Sequence, residues 1–256
     1  MAKKILIANQ KGGVGKTTTC MELSKCLAEK SKRVLLIDMD QQCDLSLYIK
    51  ADMNKPSIYD VLASNNPISD AICHLEAIDF IQSSPKLQGA DKEFGGPEDV
   101  FKLDTELSVP LIEEYDYVII DTNPSRNTIL KMCYCCADYV IFPSDCDDGS
   151  IKGIIDLYND IGVFKNIKIP FSHTEVLGII LCKYKNTRMH AVTLESLNKL
   201  MESMNKDGFV LTVRSAIVTS EARFLNESLQ KYKHWSNPAV DYRIIADKVI
   251  ELTEGE

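Results

Sequence analysis

The feature that most constrains this chain is a glycine-rich turn between a strand pattern and a helix pattern. The apolar run Lys4–Asn9 is typical of a buried strand, Thr17–Lys30 is typical of a helix, and residues 12–18 read Gly-Gly-Val-Gly-Lys-Thr-Thr. Glycines let successive backbone N–H groups point at one oxyanion, and the start of the helix adds partial positive charge. We therefore predict a phosphate-binding loop, because a plain glycine turn does not need the Lys-Thr-Thr ending.

Two side chains of this loop have a predicted role in nucleotide chemistry. Lys16 stands where its ammonium can reach the β- and γ-phosphates of a nucleotide. Thr17 offers a hydroxyl to Mg²⁺, whose small octahedral shell prefers oxygen ligands. The loop therefore predicts a nucleotide–magnesium site at the end of the first strand.

The residues before the loop narrow the class of site. The common pattern G-x-x-x-x-G-K-[ST] has a glycine where this chain has Gln10, and Lys11 follows it. The run that starts at Lys11 resembles the deviant Walker A motif, KGGxGKT[ST], of the ParA/MinD group of P-loop ATPases. The resemblance implies that Lys11 reaches across a nucleotide-sandwich dimer to the partner's phosphates; otherwise it reads as a solvated loop cation. The predicted nucleotide-binding residues are Lys11, Gly12, Gly13, Val14, Gly15, Lys16, Thr17 and Thr18.

A second strand pattern, Arg33–Asp38, ends in two acids, Asp38 and Asp40. In an extended chain, side chains two residues apart share a face, and paired acids beside a phosphate loop suit water activation and Mg²⁺ ordering. A solvated turn is the alternative. The segment is similar to the family's DxDPQxN run, and the resemblance implies that Asp40 is the catalytic carboxylate that positions the attacking water.

This segment departs from the family's run at three positions. Gln41 replaces a proline, Cys43 replaces a glycine or small residue, and Asp44 replaces an asparagine. A left-handed backbone would strain Cys43 by ~1 kcal/mol, so we expect the loop to follow a path that avoids it. We also expect hydrolysis at an altered rate.

A third strand pattern, Tyr117–Asp121, brings an acid to the same edge of the sheet. Its apolar residues bury the strand and leave Asp121 at the tip, where it can hold a Mg²⁺-bound water. An acid at the end of a buried strand is also common without any such role. The next residues are similar to the family's DTPPS run, with Asn123 in place of one proline, and the resemblance implies a Walker B motif.

Apolar strands that alternate with helices indicate the fold class. Further strand patterns and helix patterns lie at Asp138–Pro143, Val176–Leu181 and Phe209–Val213, and at Ser125–Cys136, Ile151–Ile161 and Ala191–Asn205. We predict an α/β fold with one doubly wound, mostly parallel sheet and helices on both faces, as in P-loop NTPases. Residues 1–256 read as a single domain, with Ser84–Pro97 as a long loop.

Composition excludes several classes of protein. The chain is 45% hydrophobic and 26% charged, as in globular proteins, and no apolar run approaches the roughly 18 residues of a membrane helix. We therefore expect a cytoplasmic protein without a membrane partner. The nine cysteines are irregularly spaced, so we expect reduced thiols. Cys133, Cys135 and Cys136 lie in a helix pattern and are interpreted as small core residues rather than metal ligands.

The chain resembles a ParA/Soj-type partition ATPase over most of its length. Beyond the three motifs, the similar segments are Ser57–Leu62, Asp79–Ser84, Ala137–Pro143 and Val210–Ala222. The resemblance implies that ATP and Mg²⁺ drive homodimerisation and that the dimer coats nonspecific DNA. It also implies that a ParB-type centromere-binding partner stimulates the hydrolysis that releases the DNA. Nucleotide state would set assembly state, because hydrolysis removes a γ-phosphate that both subunits contact.

The distribution of charge permits DNA binding although the net charge is −8. Residues 182–248 carry 11 Lys and Arg against 7 acids, a net +4, which leaves −12 for the remainder. Contacts with DNA phosphates need basic side chains at the binding surface and do not require a net positive charge of the whole protein. Our candidates are Arg188, Arg214, Arg223, Lys231 and Lys233. The alternative is that these residues belong to solvated helix faces with salt-bridge partners.

Three other functions stay open at this point. A MinD-like positioning ATPase shares the loop but binds the membrane through a C-terminal basic amphipathic helix. Segment 250–256 is acidic, which disfavours binding to an anionic lipid surface. An iron–sulfur ATPase of the nitrogenase-reductase type needs two cysteines per subunit at the two-fold axis, and the cysteines at 133–136 are not spaced in that way. A nucleotide-gated scaffold that barely hydrolyses ATP would account for the departures from the family's motifs.

Overall fold

One eight-stranded sheet organises the part of the chain, residues 1–167 and 171–255, that the computed structural model describes. The strands are β1 Lys3–Ile7, β2 Val34–Asp38, β3 Ile72–His74, β4 Asp79–Ile81, β5 Tyr117–Asp121, β6 Tyr139–Ser144, β7 Glu175–Tyr184 and β8 Phe209–Arg214. Their order across the sheet is β3-β4-β2-β5-β1-β6-β7-β8, and only the β3–β4 pair is antiparallel. The predicted doubly wound, mostly parallel sheet is confirmed.

Helices of very different length connect the strands. They are α1 Lys16–Glu29, α2 Asp44–Ile49, α3 Ile58–Leu62, α4 Ile68–Ala71, α5 Ala90–Glu93, α6 Lys102–Glu106, α7 Pro110–Glu113, α8 Thr128–Cys136, α9 Asp148–Lys165, α10 Arg188–Met204, α11 Ile217–Leu225, α12 Leu229–Tyr232 and α13 Asn237–Glu254. Two 3-10 helices span Pro85–Gly89 and Asp99–Phe101. Within the described ranges, no helix has both the length and the hydrophobicity needed to cross a bilayer.

The central strands are buried on both faces, which explains why they read as continuous apolar runs. Ile5 and Ile7 of β1 join the hydrophobic cluster that includes residues of α1 and α13. Leu6, between them, joins the cluster on the other face, with residues of α8 and α9. Successive side chains of a strand point to opposite faces, so each central strand needs apolar residues at every position.

Every strand and helix that the sequence predicts is present; β5 has the predicted bounds, and the ends of the others are shifted. The segments β3 and β4 were missed, because three residues are too few to show a periodicity. The helix α13 was also missed, although Tyr242, Ala246 and Val249 lie three and four residues apart and are buried against the sheet.

The predicted long loop Ser84–Pro97 is wrong for much of its length, since a 3-10 helix at Pro85–Gly89 and then α5 occupy it. Ser84 starts this segment by accepting a hydrogen bond from the backbone N–H of Lys86 at 3.3 Å. Leu87 and Phe94 are buried in the core, and their burial stabilises a segment whose glycines suggest a loop.

The interpretation of the clustered cysteines as core residues is confirmed for two of them. Cys133 and Cys136 are buried in α8, whereas Cys135 is half-buried. A cluster that bridges two subunits needs thiolates at a surface, so the two buried side chains do not suit one.

Strand pairing brings the ends of three strands together. Asp121 at the end of β5 pairs with Ile7 at the end of β1 and with Asp38 at the end of β2. The phosphate loop follows β1 directly, so it faces both acids across the carboxyl edge of the sheet.

Candidate nucleotide-binding site

The glycine loop adopts backbone conformations that require glycine at two positions. Gly13 has φ 75° and Gly15 has φ 106°, and both values lie in the region that side chains with a Cβ rarely enter. At Gly15 a Cβ would also lie 3.2 Å from the Sγ of Cys182 on β7. Gly15 immediately precedes α1, so the loop delivers its backbone to the positive end of that helix.

Lys16 directs a nearly buried ammonium back across this loop. Its side chain donates to the carbonyl oxygen of Lys11 at 3.1 Å, and the residue is only 7% exposed. Burial lowers the pKa of Lys16, and the charges of Asp121 and Asp40 partly oppose that shift. A buried ammonium that donates to a neutral carbonyl is well suited to donate to a phosphate oxygen instead, because charge-assisted hydrogen bonds are stronger.

Asp121 is a buried carboxylate that lacks hydrogen-bond donors. Neither of its oxygens has a partner among the described residues, and the residue is 1% exposed. Burial raises its pKa, and the negative charge of Asp38 raises it further, while the positive charge of Lys16 offsets part of the shift. Such unsatisfied oxygens are costly, so they fit a site for a hydrated Mg²⁺. Thr17, in the first turn of α1, would supply the hydroxyl.

In the described ranges, no group of three or more His, Cys, Asp or Glu side chains is arranged to hold a metal ion. Mg²⁺ usually takes few ligands from a protein and the rest from water and nucleotide phosphates. The residues that fit it are the hydroxyl of Thr17 and the carboxylates of Asp121 and Asp40, which lies near Lys16.

The two acids at the carboxyl end of β2 have different environments. Asp38 is fully buried, and its oxygens accept hydrogen bonds from the backbone N–H of Asp40 at 3.0 Å and from the N–H and Oγ of Ser46 at 2.9 and 2.7 Å. Asp40 is half-buried and accepts from the N–H of Gln42 at 2.9 Å. Burial raises the pKa of both acids. Asp38 is therefore engaged in holding the loop, whereas Asp40 is the acid that stays accessible.

The expectation that Cys43 avoids the left-handed region is wrong. Its φ and ψ are 56° and 25°, which costs a residue with a Cβ ~1 kcal/mol. The turn keeps its backbone hydrogen bonds, because the N–H of Cys43 donates to the carbonyl of Asp40 at 2.9 Å and its own carbonyl accepts from Leu47 at 2.9 Å. The same turn buries Leu45 completely, which offsets the strain.

Lys11 is held by two acids that the sequence reasoning missed. Its ammonium lies 3.0 Å from both oxygens of Asp145 and 3.3 Å from Asp147, and its backbone N–H donates to Asn9 at 2.9 Å. Burial lowers the pKa of Lys11, but the two acids outweigh it and raise the pKa. Asp145 and Asp147 follow β6, the neighbour of β1, so the rule that sites lie at carboxyl ends of strands could have found them.

Two amide nitrogens near the loop lack hydrogen-bond acceptors among the described residues. Asn123 is buried and accepts from the N–H of Ser125 at 3.0 Å through its Oδ1, while its Nδ2 has no partner among the described residues. The Nε2 of Gln10 is also buried, and no described residue offers it an acceptor. These residues are the ones that replace a family proline and a glycine of the common phosphate-loop pattern.

Four of the five predicted DNA-contacting residues are exposed. They are Arg188, Arg223, Lys231 and Lys233. Arg223 lies 3.5 Å from Asp44, and Lys231 lies 3.2 Å from Glu227. Arg214 is different, because its guanidinium contacts both oxygens of the buried Asp241 at 2.6–3.1 Å and so joins β8 to α13.

Comparison with known proteins relates the chain to ATPases of one family. The model of the AAA domain family matches residues 2–171. The chromosome partitioning protein ParA of Myxococcus xanthus is 37% identical over 185 residues, which are 70% of this chain and 64% of that protein. The ParA of Caulobacter vibrioides is 33% identical over 209 residues, 79% of this chain and 74% of that protein.

A solved structure extends the similarity to the whole chain. The putative plasmid partition protein of Borrelia burgdorferi B31, bound to AMPPNP, superposes with a TM-score of 0.77 at 28% identity. The superposition covers 100% of this chain and 99% of that one. It therefore includes the C-terminal third, where the sequence resemblance is weakest.

Proposed function

Because the chain belongs to the AAA domain family as one of its ParA-type partition ATPases, we propose that it is an ATP-driven DNA-segregation switch. ATP with Mg²⁺ closes two copies face to face, the dimer binds nonspecific DNA in the cytoplasm, and hydrolysis releases it. A ParB-type partner stimulates that hydrolysis, which is otherwise slow.

The observation that carries this proposal is the meeting of Lys16, Asp40 and Asp121 beside the glycine loop. A buried ammonium, an accessible carboxylate and a buried carboxylate without donors interact electrostatically there. In phosphoryl transfer the protein mainly positions groups and stabilises charge. Lys16 binds the β- and γ-phosphates, and Asp40 orients the attacking water. Bound Mg²⁺, held by Thr17 and through water by Asp121, would neutralise phosphate charge.

Lys11 connects nucleotide binding to dimerisation in this proposal. Its side chain is 28% exposed, and Asp147, one of its two acidic partners, is 60% exposed. Ion pairs at such exposure contribute ~0–1 kcal/mol, so a partner's γ-phosphate can compete for the ammonium. Two copies of the chain then share each nucleotide, and loss of the γ-phosphate removes the interaction that joins them.

DNA binding in the proposal uses the exposed basic residues Arg188, Arg223, Lys231 and Lys233. Two copies double the number of phosphate contacts, so that DNA affinity rises steeply on dimerisation. We assign Arg214 a structural role instead, because its guanidinium is committed to Asp241.

The test measures retention of nonspecific DNA with ATP, with ADP and without nucleotide. We expect wild type to retain DNA only with ATP, and Lys11→Ala to lose retention while still binding nucleotide through Lys16. Lys92→Ala is the control, since it removes an equal charge from an exposed residue of α5. Light scattering with AMPPNP and Mg²⁺ reports the dimer directly.

Three outcomes would contradict the proposal. A protein that stays monomeric at saturating AMPPNP and Mg²⁺ would refute the sandwich dimer. Binding to liposomes but not to DNA would indicate a MinD-like positioning ATPase. Dimerisation without any phosphate release, even with DNA and the cognate partner, would indicate a nucleotide-gated scaffold.

A further inference from the structure

The backbone of Asp40 is held from both sides by buried groups. Its N–H donates to Oδ1 of Asp38 at 3.0 Å, and its carbonyl accepts a hydrogen bond from Oγ of Ser83 at 2.7 Å. Asp38 and Ser83 are 0% and 2% exposed, so solvent does not compete for these bonds. The peptide groups on either side of the Asp40 side chain therefore have fixed positions.

Ser83 and Asp38 are also joined to each other through Ser46. The N–H of Ser83 donates to Oγ of Ser46 at 2.9 Å, and that hydroxyl donates to Oδ2 of Asp38 at 2.7 Å. Ser46, in α2, is 1% exposed. The result is a closed ring of hydrogen bonds, Ser83–Ser46–Asp38–Asp40–Ser83, in which every donor has an acceptor.

Ser83 connects this ring of hydrogen bonds to the neighbouring strand β4. It follows β4 by two residues, and β4 is in register with β2, with Ile81 opposite Ile37. The intervening Gln82 donates through Nε2 to the carbonyls of Asp52 and Lys55, at 3.1 and 2.6 Å. The pairing with β2 and the hydrogen bonds of Gln82 thus both fix the end of β4. The hydroxyl of Ser83 therefore has a fixed position from which it can bind the loop after β2.

We propose that Ser83 is a positioning residue for Asp40 during ATP hydrolysis, acting through the carbonyl of Asp40 and the ring with Ser46 and Asp38. The inference rests on the proposed role of Asp40 in orienting the attacking water. A carboxylate performs that role only within hydrogen-bond reach of the water, so a small displacement lowers the rate steeply. Among the described residues, the N–H of Gln42 is the one hydrogen-bond donor to the carboxylate of Asp40.

The test compares steady-state ATP hydrolysis, with saturating DNA and Mg²⁺, for wild type, Ser83→Ala and Ser84→Ala. We expect Ser83→Ala to lower kcat about tenfold while the KM for ATP and the affinity for AMPPNP stay within about twofold. The reason is that Ser83 touches the loop of Asp40 and not the phosphate cradle. Ser84→Ala removes a hydroxyl from the next residue, whose Oγ caps the 3-10 helix, and should hydrolyse ATP like wild type.

A double-mutant cycle with Asp40→Ala separates positioning from a merely structural role. If Ser83 acts through Asp40, Asp40→Ala/Ser83→Ala is no slower than Asp40→Ala alone. An unchanged kcat in Ser83→Ala, a parallel loss of AMPPNP affinity, or additive losses in the double variant would overturn the inference. If Ser83→Ala does not fold, Ser46→Ala opens the same ring one step away and is judged by the same criteria.

The same cycle distinguishes failure of this inference from failure of the proposed function. If Asp40→Ala hydrolyses ATP at the wild-type rate, the assignment of Asp40 is wrong and the role of Ser83 falls with it. If Asp40→Ala is inactive and Ser83→Ala is fully active, only the role of Ser83 is refuted.

Discussion

At the scale of single residues, the least expected group is a buried acid outside the nucleotide site. Glu22 of α1 is 1% exposed; its Oε1 accepts from the N–H of Leu229 at 2.9 Å, and its Oε2 has no partner among the described residues. Burial raises the pKa of Glu22 to about 8, against the opposing effects of the Leu229 N–H and Lys25. A pKa of about 8 favours the protonated form of Glu22 at neutral pH.

This raised pKa makes stability depend on pH. Below about pH 4.3 the residue is protonated in both states; between there and about pH 8 the unfolded chain loses the proton while the folded chain keeps it. The contribution of Glu22 is thus fully present at low pH and is lost as pH rises towards 8. We expect Glu22→Gln to remove this slope, up to ~1.4 kcal/mol per pH unit.

Urea unfolding at pH 5.5, 6.5 and 7.5 measures the effect. The stability difference between Glu22→Gln and wild type should shift in favour of the variant as pH rises. Glu29→Gln, at an exposed position on the same helix, should keep the wild-type dependence. Parallel curves for Glu22→Gln and wild type would show that Glu22 is ionised in the folded protein.

At the scale of elements, the packing of α9 against the end of β1 positions Lys11. Asn9 donates through Nδ2 to the carbonyls of Pro143 and Ser150, at 2.7 and 3.1 Å, while its Oδ1 accepts from the N–H of Lys11. Gly153 of α9 lies against this side chain, and a Cβ there would overlap Oδ1 of Asn9 and lie 3.3 Å from the backbone nitrogen of Gln10. The close approach of helix and loop requires glycine.

We expect Gly153→Ala to destabilise the protein by ~1–3 kcal/mol, because the methyl group overpacks a buried contact. It should also weaken AMPPNP binding, since Asn9 must move and Lys11 moves with it. Gly162→Ala, on the same helix, is the matched control: its Cβ would meet only Asn166 at 3.9 Å, so helix propensity should stabilise it by ~0.5–1 kcal/mol.

Urea unfolding and titration with a fluorescent AMPPNP analogue measure the two effects. A Gly153→Ala variant that binds the analogue as tightly as wild type would show that Asn9 does not set the loop. A destabilised Gly162→Ala would mean that the loss in Gly153→Ala does not come from the contact with Asn9, because a methyl group would be unfavourable at an open position of the same helix as well.

At the scale of the whole molecule, charge is distributed unevenly over a chain with a net charge of −8. Arg188 and Lys233 are exposed, and among the described residues neither has an acid within ion-pair distance. Their charges are therefore available to a phosphate backbone. The acids elsewhere in the chain do not prevent binding, because salt screens charges more than about 8–10 Å away.

We expect the pair Arg188→Ala/Lys233→Ala to weaken ATP-dependent DNA retention and to reduce the salt dependence. The slope of log K against log salt is negative, and its magnitude should decrease by about 2 per chain, one unit for each DNA phosphate that the variant no longer neutralises. Filter binding at several salt concentrations measures it. Lys199→Ala, whose ammonium pairs with Glu195 on α10, should leave the slope unchanged; an unchanged slope in the pair as well would remove both residues from the DNA surface.

The sequence by itself determined the features that depend on local order along the chain. The glycines at 13 and 15, Lys16 and Thr17 lie within one short segment, so their spacing alone predicts a phosphate loop at the start of α1. The sequence predicts the central strands equally well, because burial on both faces makes them apolar at every position. Asp121 followed from the same pattern, as the polar end of such a strand.

Only the tertiary structure decided which distant residues meet. Asp145 and Asp147 hold Lys11 from more than 130 positions away in the chain, and Ser83 reaches Asp40 because the three-residue β4 pairs with β2. Arg214 and the other candidate basic residues look alike in sequence, but packing places a buried acid beside Arg214 alone among them. Contacts between distant segments depend on strand order and register, which no local pattern specifies.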